Sequence, residues 1–403
     1  MSETQELDLQ TAFAALREEL GPVTQRIEVP TRAAGGRVLA RDLVSGIDLP
    51  GFDNAAMDGY AVRAADCASP TRLRVVGHSL AGHATDARVE PGTAVRIMTG
   101  APMPAGADAV VMLEDTASEG PFVQIRSAVA PGANVRTRGE HVRADSVVLS
   151  AGTTLAAAHL GLATAIGAAT LEVFRPLRVG VASTGDELAD PPTPLAADAS
   201  FDANRPMLER ACRVAGFDVV DLGICRDDAQ AFAQLVDRAR RDALDALVVS
   251  GGSALGDADV VRQAESIRFY ALNIRPGRGV AFGRFGSLAV FGLPGNAVAA
   301  FVMFHLLVLP ALRLLAGADA RIPVHLPLPL ASDVRIKPGR IDYRRARFVT
   351  TPDGSIAVDP LALQGSAMLR TVTEADALIA AGPQSFYRAG ESIPTVPLAG
   401  LPG

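Results

Sequence analysis

Cysteine is scarce, with three in 403 residues (Cys67, Cys212 and Cys225) and no C-x-x-C pair among them. That spacing supports neither a disulfide framework nor a zinc site, and a reducing cytosol is the compartment to expect. Histidine is scarce too, six in all. His78 and His83 read as loop residues and His305 as a helix-face residue, none with the spacing of metal ligands. An excess of positive charge is missing. The net charge of −6 argues against a nucleic-acid or anionic-membrane partner, both of which want a basic face. The polar, acidic residues 1–10 lack the apolar stretch of a signal peptide. The longest apolar run, Ala297 to Leu309, is interrupted by His305 and reads as too short for a bilayer. No GxxxxGK[ST], HExxH or GxSxG occurs, and no GxGxxG follows the first α/β strand. A P-loop, a dinucleotide fold, a zinc protease and an α/β-hydrolase are thereby disfavoured.

What is present is a composition of 49% hydrophobic and 20% charged residues, ordinary for a soluble protein, in a chain too long for one core. Residues 8–20 predict a helix capped by Asp8, with Ala12, Phe13, Leu16 and Leu20 on one face. From about 45 to 140 short β-like runs alternate with Gly/Pro turns, including Leu73–Val76, Thr93–Met98, Ala109–Leu113 and Phe122–Ile125. An Ala-rich helix at about 154–167 is expected to pack on the first helix, which makes the β region an insertion. From 176 to 316 strands and helices alternate, predicting a doubly wound, mostly parallel sheet. Its strands fall at Leu177–Ala182, Phe217–Asp221, Asp245–Val249, Phe269–Ile274 and Leu288–Phe291. Its helices fall at 203–215, 228–241, 258–266 and 296–316. Residues 189–199 read as a loop, and 320–403 as a small C-terminal β domain.

In such a sheet, ligands bind beyond the carboxyl ends of the strands. The first ends in Ser183-Thr184-Gly185-Asp186-Glu187, the second in Cys225-Arg226-Asp227-Asp228. The third ends in Ser250-Gly251-Gly252 and continues to Asp259, and a later one ends in Pro294-Gly295-Asn296. The glycines let a ligand approach the backbone, and the helix after each loop adds its positive end, so a phosphate-bearing ligand is expected. Glu187, Asp227 and Asp259 suit a hard cation such as Mg²⁺. Asp227, Asp228, Asp257 and Asp259 read equally as helix caps. A second concentration of chemistry is the acidic turn from Pro50 to Ala61, with Asp53, Asn54 and Asp58 between two glycines. Thr99 ends a strand, and Arg136, Arg138, Glu140 and His141 form a polar cluster. Arg340, Arg344, Arg345 and Arg347 read as solvated strand faces or as a grip on phosphate.

These stretches resemble the molybdopterin molybdotransferases, the family related to the E domain of gephyrin. The resemblance rests on FDNAAMDGYAVR (52–63), RIMTGAPMPAGADAVVMLED (96–115), RGE (138–140), VASTGDEL (181–188), FDANR (201–205), the Gly251–Asp259 loop, RPGR (275–278) and FGLPGN (291–296), in order along most of the chain. It implies a split helical domain (1–44 and 141–175), an inserted elongated β domain (45–140), a molybdopterin-binding-like α/β domain (176–318) and a C-terminal β domain (319–403). It also implies a cytoplasmic homodimer whose active site is shared between subunits, with a molybdopterin adenylyltransferase as a docking partner. The implied reaction takes adenylylated molybdopterin and molybdate, with Mg²⁺, to molybdenum cofactor and AMP. The resemblance carries catalytic roles to Asp58, Thr99, Glu187, Asp227 and Asp259, with Asp58 and Thr99 reaching in from the partner. Metal contacts fall to Glu187, Asp227 and Asp259. Substrate binding falls to Ser183, Thr184, Gly185, Asp186, Gly251, Gly252, Arg275, Pro294, Gly295 and Asn296.

The chain departs from the family pattern at His141, where an aspartate is usual, and at Ala271, where a basic residue is usual. Arginines stand for lysines at 262, 275 and 278, Ala297 replaces a proline, and Gly251 to Gly256 reads GGSALG. A second reading, a divergent pterin-binding or scaffold protein, is kept beside the first.

Overall fold

The computed structural model describes residues 6–23, 25–251 and 266–398. Helix α1 (Leu9–Glu19) starts where the sequence placed it, with Asp8 Oδ1 accepting the Thr11 N–H at 2.8 Å. Its buried face is Leu9, Ala12, Phe13 and Leu16, with Leu20 half-buried at the end. That face does not meet the Ala-rich helix α2 (Ala157–Ala165), as the sequence suggested. It joins the main core with Val302, Phe304 and Leu307, while α2 sits in a separate small cluster with Ala34, Leu39 and Leu171. The reason is area. Helix α2 buries only Ala163 completely, too little apolar surface to hold a helix, whereas the leucines and phenylalanine of α1 match a large core. Leu7 fixes the docking, because its N–H donates to the Ala271 carbonyl and its carbonyl accepts from Asn273 N–H.

Arg26–Pro30 pairs with Thr170–Phe174, and Leu43–Val44 with Val147–Leu149, both antiparallel. The chain therefore leaves and re-enters this small unit through neighbouring strands. The excursion carries a six-stranded mixed sheet in the spatial order Ala109–Met112, Gly59–Val62, Thr93–Ile97, Thr71–Ser79, Phe122–Ile125, Thr116–Glu119.

The α/β unit follows. Strand β1 (Arg178–Thr184), helix α3 (Asn204–Val214), β2 (Asp218–Cys225), helix α4 (Ala229–Arg241) and β3 (Ala246–Ser250) alternate as read from the sequence. Asp228 caps α4, its carboxylate accepting from Ala231 N–H at 2.7 Å, so that reading holds for Asp228 and not for Asp227. The helix expected at 258–266 lies mostly outside the described residues. Strand β4 (Ile267–Ala271) pairs antiparallel with β5 (Gly279–Phe285), which in turn pairs antiparallel with β6 (Leu288–Leu293). Strand β5 was not among the expected strands. Gly283 is required by the pairing: a Cβ there would lie 2.2 Å from the Ser266 carbonyl oxygen. The sheet order is β2-β1-β3-β6-β5-β4, with the first four strands parallel. The chain runs from β1 outward to β2 and returns to β3 on the other side, so the topological switch point lies between the ends of β1 and β3.

Helix α5 (Ala297–Leu315) is longer than its apolar run. Its 19 residues and mean hydropathy of 2.2 meet the length and composition of a membrane span, contrary to the sequence reading, yet 72% of the window is buried inside the protein. Alongside it, Ile274–Arg275 joins a sheet with Ile341–Thr350, Ala377–Ala381, Ser392–Pro397 and Leu326–Pro329. That parallel pairing sets Arg275 beside Asp342.

Candidate active site

The residues at the switch point are held by one another. Ser183 and Thr184 end β1, both nearly fully buried. Ser183 Oγ donates to Asp202 Oδ1 at 3.0 Å, and the same oxygen accepts the Asn204 and Arg205 N–H groups at the start of α3. Asn204 Nδ2 donates to Ser250 Oγ at 2.7 Å and to the Gly295 carbonyl at 2.6 Å, tying the ends of β3 and β6 to α3. Ser250 Oγ reaches the Pro294 carbonyl at 3.4 Å. Asn296 begins α5 without a side-chain capping bond. The Thr184 hydroxyl is the exception in this network: buried, and with no hydrogen-bond partner among the described residues. An unsatisfied hydroxyl beside three convergent loops is what a ligand oxygen would complete.

Behind this layer stands Arg205. Its Nε bonds Asp202 at 3.0 Å, and its two other nitrogens bond Asp221 and Asp190. Burial works against the charge, but the Asp221 and Asp202 carboxylates hold the guanidinium pKa above its usual value.

Gly251 follows β3 with φ +93°, and a Cβ there would sit 2.4 Å from the Thr184 carbonyl oxygen and 2.8 Å from its Oγ1. Both the left-handed backbone and the close approach require glycine. Gly251→Ala is expected to lower stability by about 1–3 kcal/mol and to displace the Thr184 hydroxyl. Thermal unfolding reads the first effect. An unchanged melting temperature would mean that the loop relaxes freely.

The acidic side is formed by two loops. Asp227 N–H donates to Asp186 Oδ1 at 3.4 Å, and Gly185 N–H to the Cys225 carbonyl. Burial and the nearby Asp228, Asp227 and Asp186 carboxylates push the Cys225 thiol up to about 11. Asp186, expected to bind substrate, is thus the direct neighbour of Asp227, while Glu187 folds back over Gly185. Asp259 and Gly252 lie outside the described residues. Among the described residues no three His, Cys, Asp or Glu side chains gather as a metal cage.

A cavity of about 680 Å³ adjoins the loops, between α5 and the C-terminal sheet. Arg275, Pro294 and Asn296 line it together with Arg278, Arg340 and Asp342. Of the arginine run, Arg340 bonds Glu6, Arg344 the Arg335 carbonyl, and Arg347 Glu374. Arg345 is 1% exposed and bonds Thr371 Oγ1 and the Gly365 carbonyl. Arg340 and Arg345 are internal tethers rather than solvated residues, whereas Arg347 is exposed, as a solvated strand face predicts.

Asp58 and Thr99 meet each other in the inserted sheet. Asp58 Oδ1 accepts both the N–H and the hydroxyl of Thr99 at 2.7 Å, and these bonds hold the carboxyl below its usual pKa. Among the described residues, neither side chain bonds to the α/β unit. The acidic turn is braced by Arg138, whose N–H donates to Asp53 Oδ1 at 2.7 Å and whose Nε bonds Asp48 at 2.6 Å. His141 is exposed. Asp202, Asn204 and Arg205, the residues that assemble the site, lie in the FDANR stretch, but the sequence assigned them no role. Nothing along the chain signalled Asp342.

Three family models match the chain: "MoeA N-terminal region (domain I and II)" over residues 7–167, "Probable molybdopterin binding domain" over 180–314, and "MoeA C-terminal region (domain IV)" over 327–398. Among similar proteins, the molybdopterin molybdenumtransferase of Haemophilus influenzae is 34% identical over 98% of this chain and 100% of its own length. Molybdopterin molybdenumtransferase 2 of Mycobacterium tuberculosis is 38% identical over 84% of this chain and 86% of its own. The crystal structure of the molybdopterin biosynthesis MoeA protein from Pyrococcus horikoshii OT3 superposes with a TM-score of 0.80 at 28% identity, covering 97% of this chain and 100% of that one. The relatives carry transferase names, and none supports the scaffold reading. By its domain sequence, its fold and its relatives, the chain belongs to the molybdopterin molybdenumtransferase family.

Proposed function

We propose that this protein inserts molybdate into adenylylated molybdopterin, with cleavage of the phosphoanhydride and release of AMP, as a step of molybdenum cofactor biosynthesis in the cytoplasm. The observation that carries the reading is the buried Thr184 hydroxyl at the switch point, next to Gly251 and without a partner among the described residues. Water adds to one phosphorus of the anhydride, the bond from that phosphorus to the bridging oxygen breaks, and AMP and the pterin phosphate part with loss of a proton. As the two pterin thiols bind molybdenum, their protons leave with one molybdate oxygen as water. In this reading Thr184 and the backbone of the glycine loops hold the phosphates, and Arg275 at the cavity wall attracts the molybdate anion. Rate enhancement comes from holding both substrates in one orientation and from fixed donors aimed at developing charge, so no protein nucleophile is required.

The donor set fits Mg²⁺. Asp186 and Asp227 are hard carboxylates on adjacent loops with Glu187 nearby, and Mg²⁺ usually takes one or two carboxylates and completes its shell with phosphate oxygens and water. Those residues would hold it, and when bound it would neutralise phosphate charge. The Asp58–Thr99 pair belongs in this proposal as the contribution of a second subunit, within domains bounded at 1–44 with 141–175, 45–140, 176–318 and 319–403. An adenylyltransferase that hands over its product is the proposed docking partner.

The direct test supplies purified protein with adenylylated molybdopterin, molybdate and Mg²⁺ and measures AMP. The wild type is expected to release AMP in a molybdate-dependent way, and Asp227→Ala to lose at least about a hundredfold. Equal rates for the two proteins, or no AMP from the wild type, would overturn the reading.

A further inference from the structure

Among the described residues, Asp342 is the one acidic side chain lining the cavity between α5 and the C-terminal sheet. It is half-buried and makes no hydrogen bond or ion pair among the described residues, although three guanidinium groups lie close enough to act on it. All three are committed elsewhere. Arg275 donates to the carbonyls of Lys337 and Pro338 at 2.9 and 3.4 Å, Arg344 to that of Arg335, and Arg345 to Thr371 and Gly365. Burial wins over their attraction and leaves the carboxyl above its usual pKa. A half-buried carboxylate without a donor costs stability. In a ligand cavity, the donor it lacks is one that a ligand would bring.

The rest of the cavity narrows the ligand class. Arg275, Arg278 and Arg340 make that wall cationic, which suits an anionic molecule. Asp342 asks the same molecule for N–H donors instead. A 2-aminopyrimidin-4-one ring offers two parallel N–H groups, matched to the two oxygens of a carboxylate. Adenine offers a single amino group flanked by acceptors, and phosphates and dithiolenes are repelled. We propose that Asp342 is the specificity residue for the pterin ring, accepting the N–H groups of its aminopyrimidinone edge and so orienting the adenylylated substrate with its phosphates toward Thr184. This rests on the substrate reading given above.

Asp342→Asn tests it. The change removes an unpaired charge and keeps the shape, so the thermal midpoint is expected to hold or rise. Affinity for adenylylated molybdopterin, measured by anaerobic titration, is expected to fall by about tenfold to a hundredfold, with AMP bound as tightly as by the wild type. Unchanged affinity for the pterin substrate overturns the proposal and leaves the substrate reading intact. Equal losses for AMP and for the pterin substrate also overturn it, since they indicate general damage to the site. A lowered midpoint shows that Asp342 is structural and overturns it too. If the wild type binds AMP but not adenylylated molybdopterin, the substrate reading itself fails and the proposal with it.

Discussion

Mixing Asp58→Ala subunits with Asp227→Ala subunits should restore about a quarter of wild-type AMP release, although each variant alone falls by at least about a hundredfold. The expectation follows from where the two carboxylates sit. Among the described residues Asp58 bonds only to Thr99, and Asp227 stands on another loop system beside Asp186. No hydrogen bond or ion pair joins the two places within the described residues of one chain. In a two-fold dimer that pairs one subunit's inserted sheet with the other's α/β unit, each mixed dimer carries one site with both carboxylates and one with neither. Random mixing makes about half of the dimers mixed, with one working site in two, hence about a quarter. Separately tagged subunits, co-expressed and purified through both tags, should reach about half of the wild-type rate on the same reasoning. Doubly tagged dimers that remain inactive would show that Asp58 serves its own chain or no site at all.

Replacing Arg205 by methionine should be the most destabilising single change at the site, by about 3–5 kcal/mol, a drop of roughly 10 °C in melting temperature. The cost lies in what remains. Asp202 is 1% exposed and keeps only Ser183 Oγ and two backbone N–H groups as donors once the guanidinium is gone. Asp190 and Asp221 are about half exposed, at 52% and 45%, and water takes over much of their charge. Most of the loss should therefore be recovered in the double variant Arg205→Met/Asp202→Asn, which removes the stranded charge and keeps a hydrogen-bonding side chain. If Arg205→Met melts with the wild type, the buried bridge contributes nothing net. If the double variant melts lower still, the penalty comes from lost packing around the arginine stem.

Much of this protein could be read along the chain because its signals are local. Asp8 and Asp228 cap helices whose apolar spacing lies within a few residues, and the β/α alternation from β1 to β3 follows from runs of buried valine, leucine and alanine. The strand ends at Ser183–Glu187, Ser250–Gly251 and Pro294–Asn296 were legible as a candidate site for the same reason, since each is a short motif after a strong strand. Tertiary structure decided what depends on distant partners. It chose which core α1 joined, since two helices of similar spacing bury very different areas. It turned a glycine-bearing segment into β5, since only pairing shows that a glycine is needed for a close approach. It made Asn204 the link between β3 and β6, set Asp186 rather than Glu187 against Asp227, and left Asp342 without a donor among the described residues. Each of these depends on groups separated along the chain and brought together by packing, and sequence spacing holds no record of them.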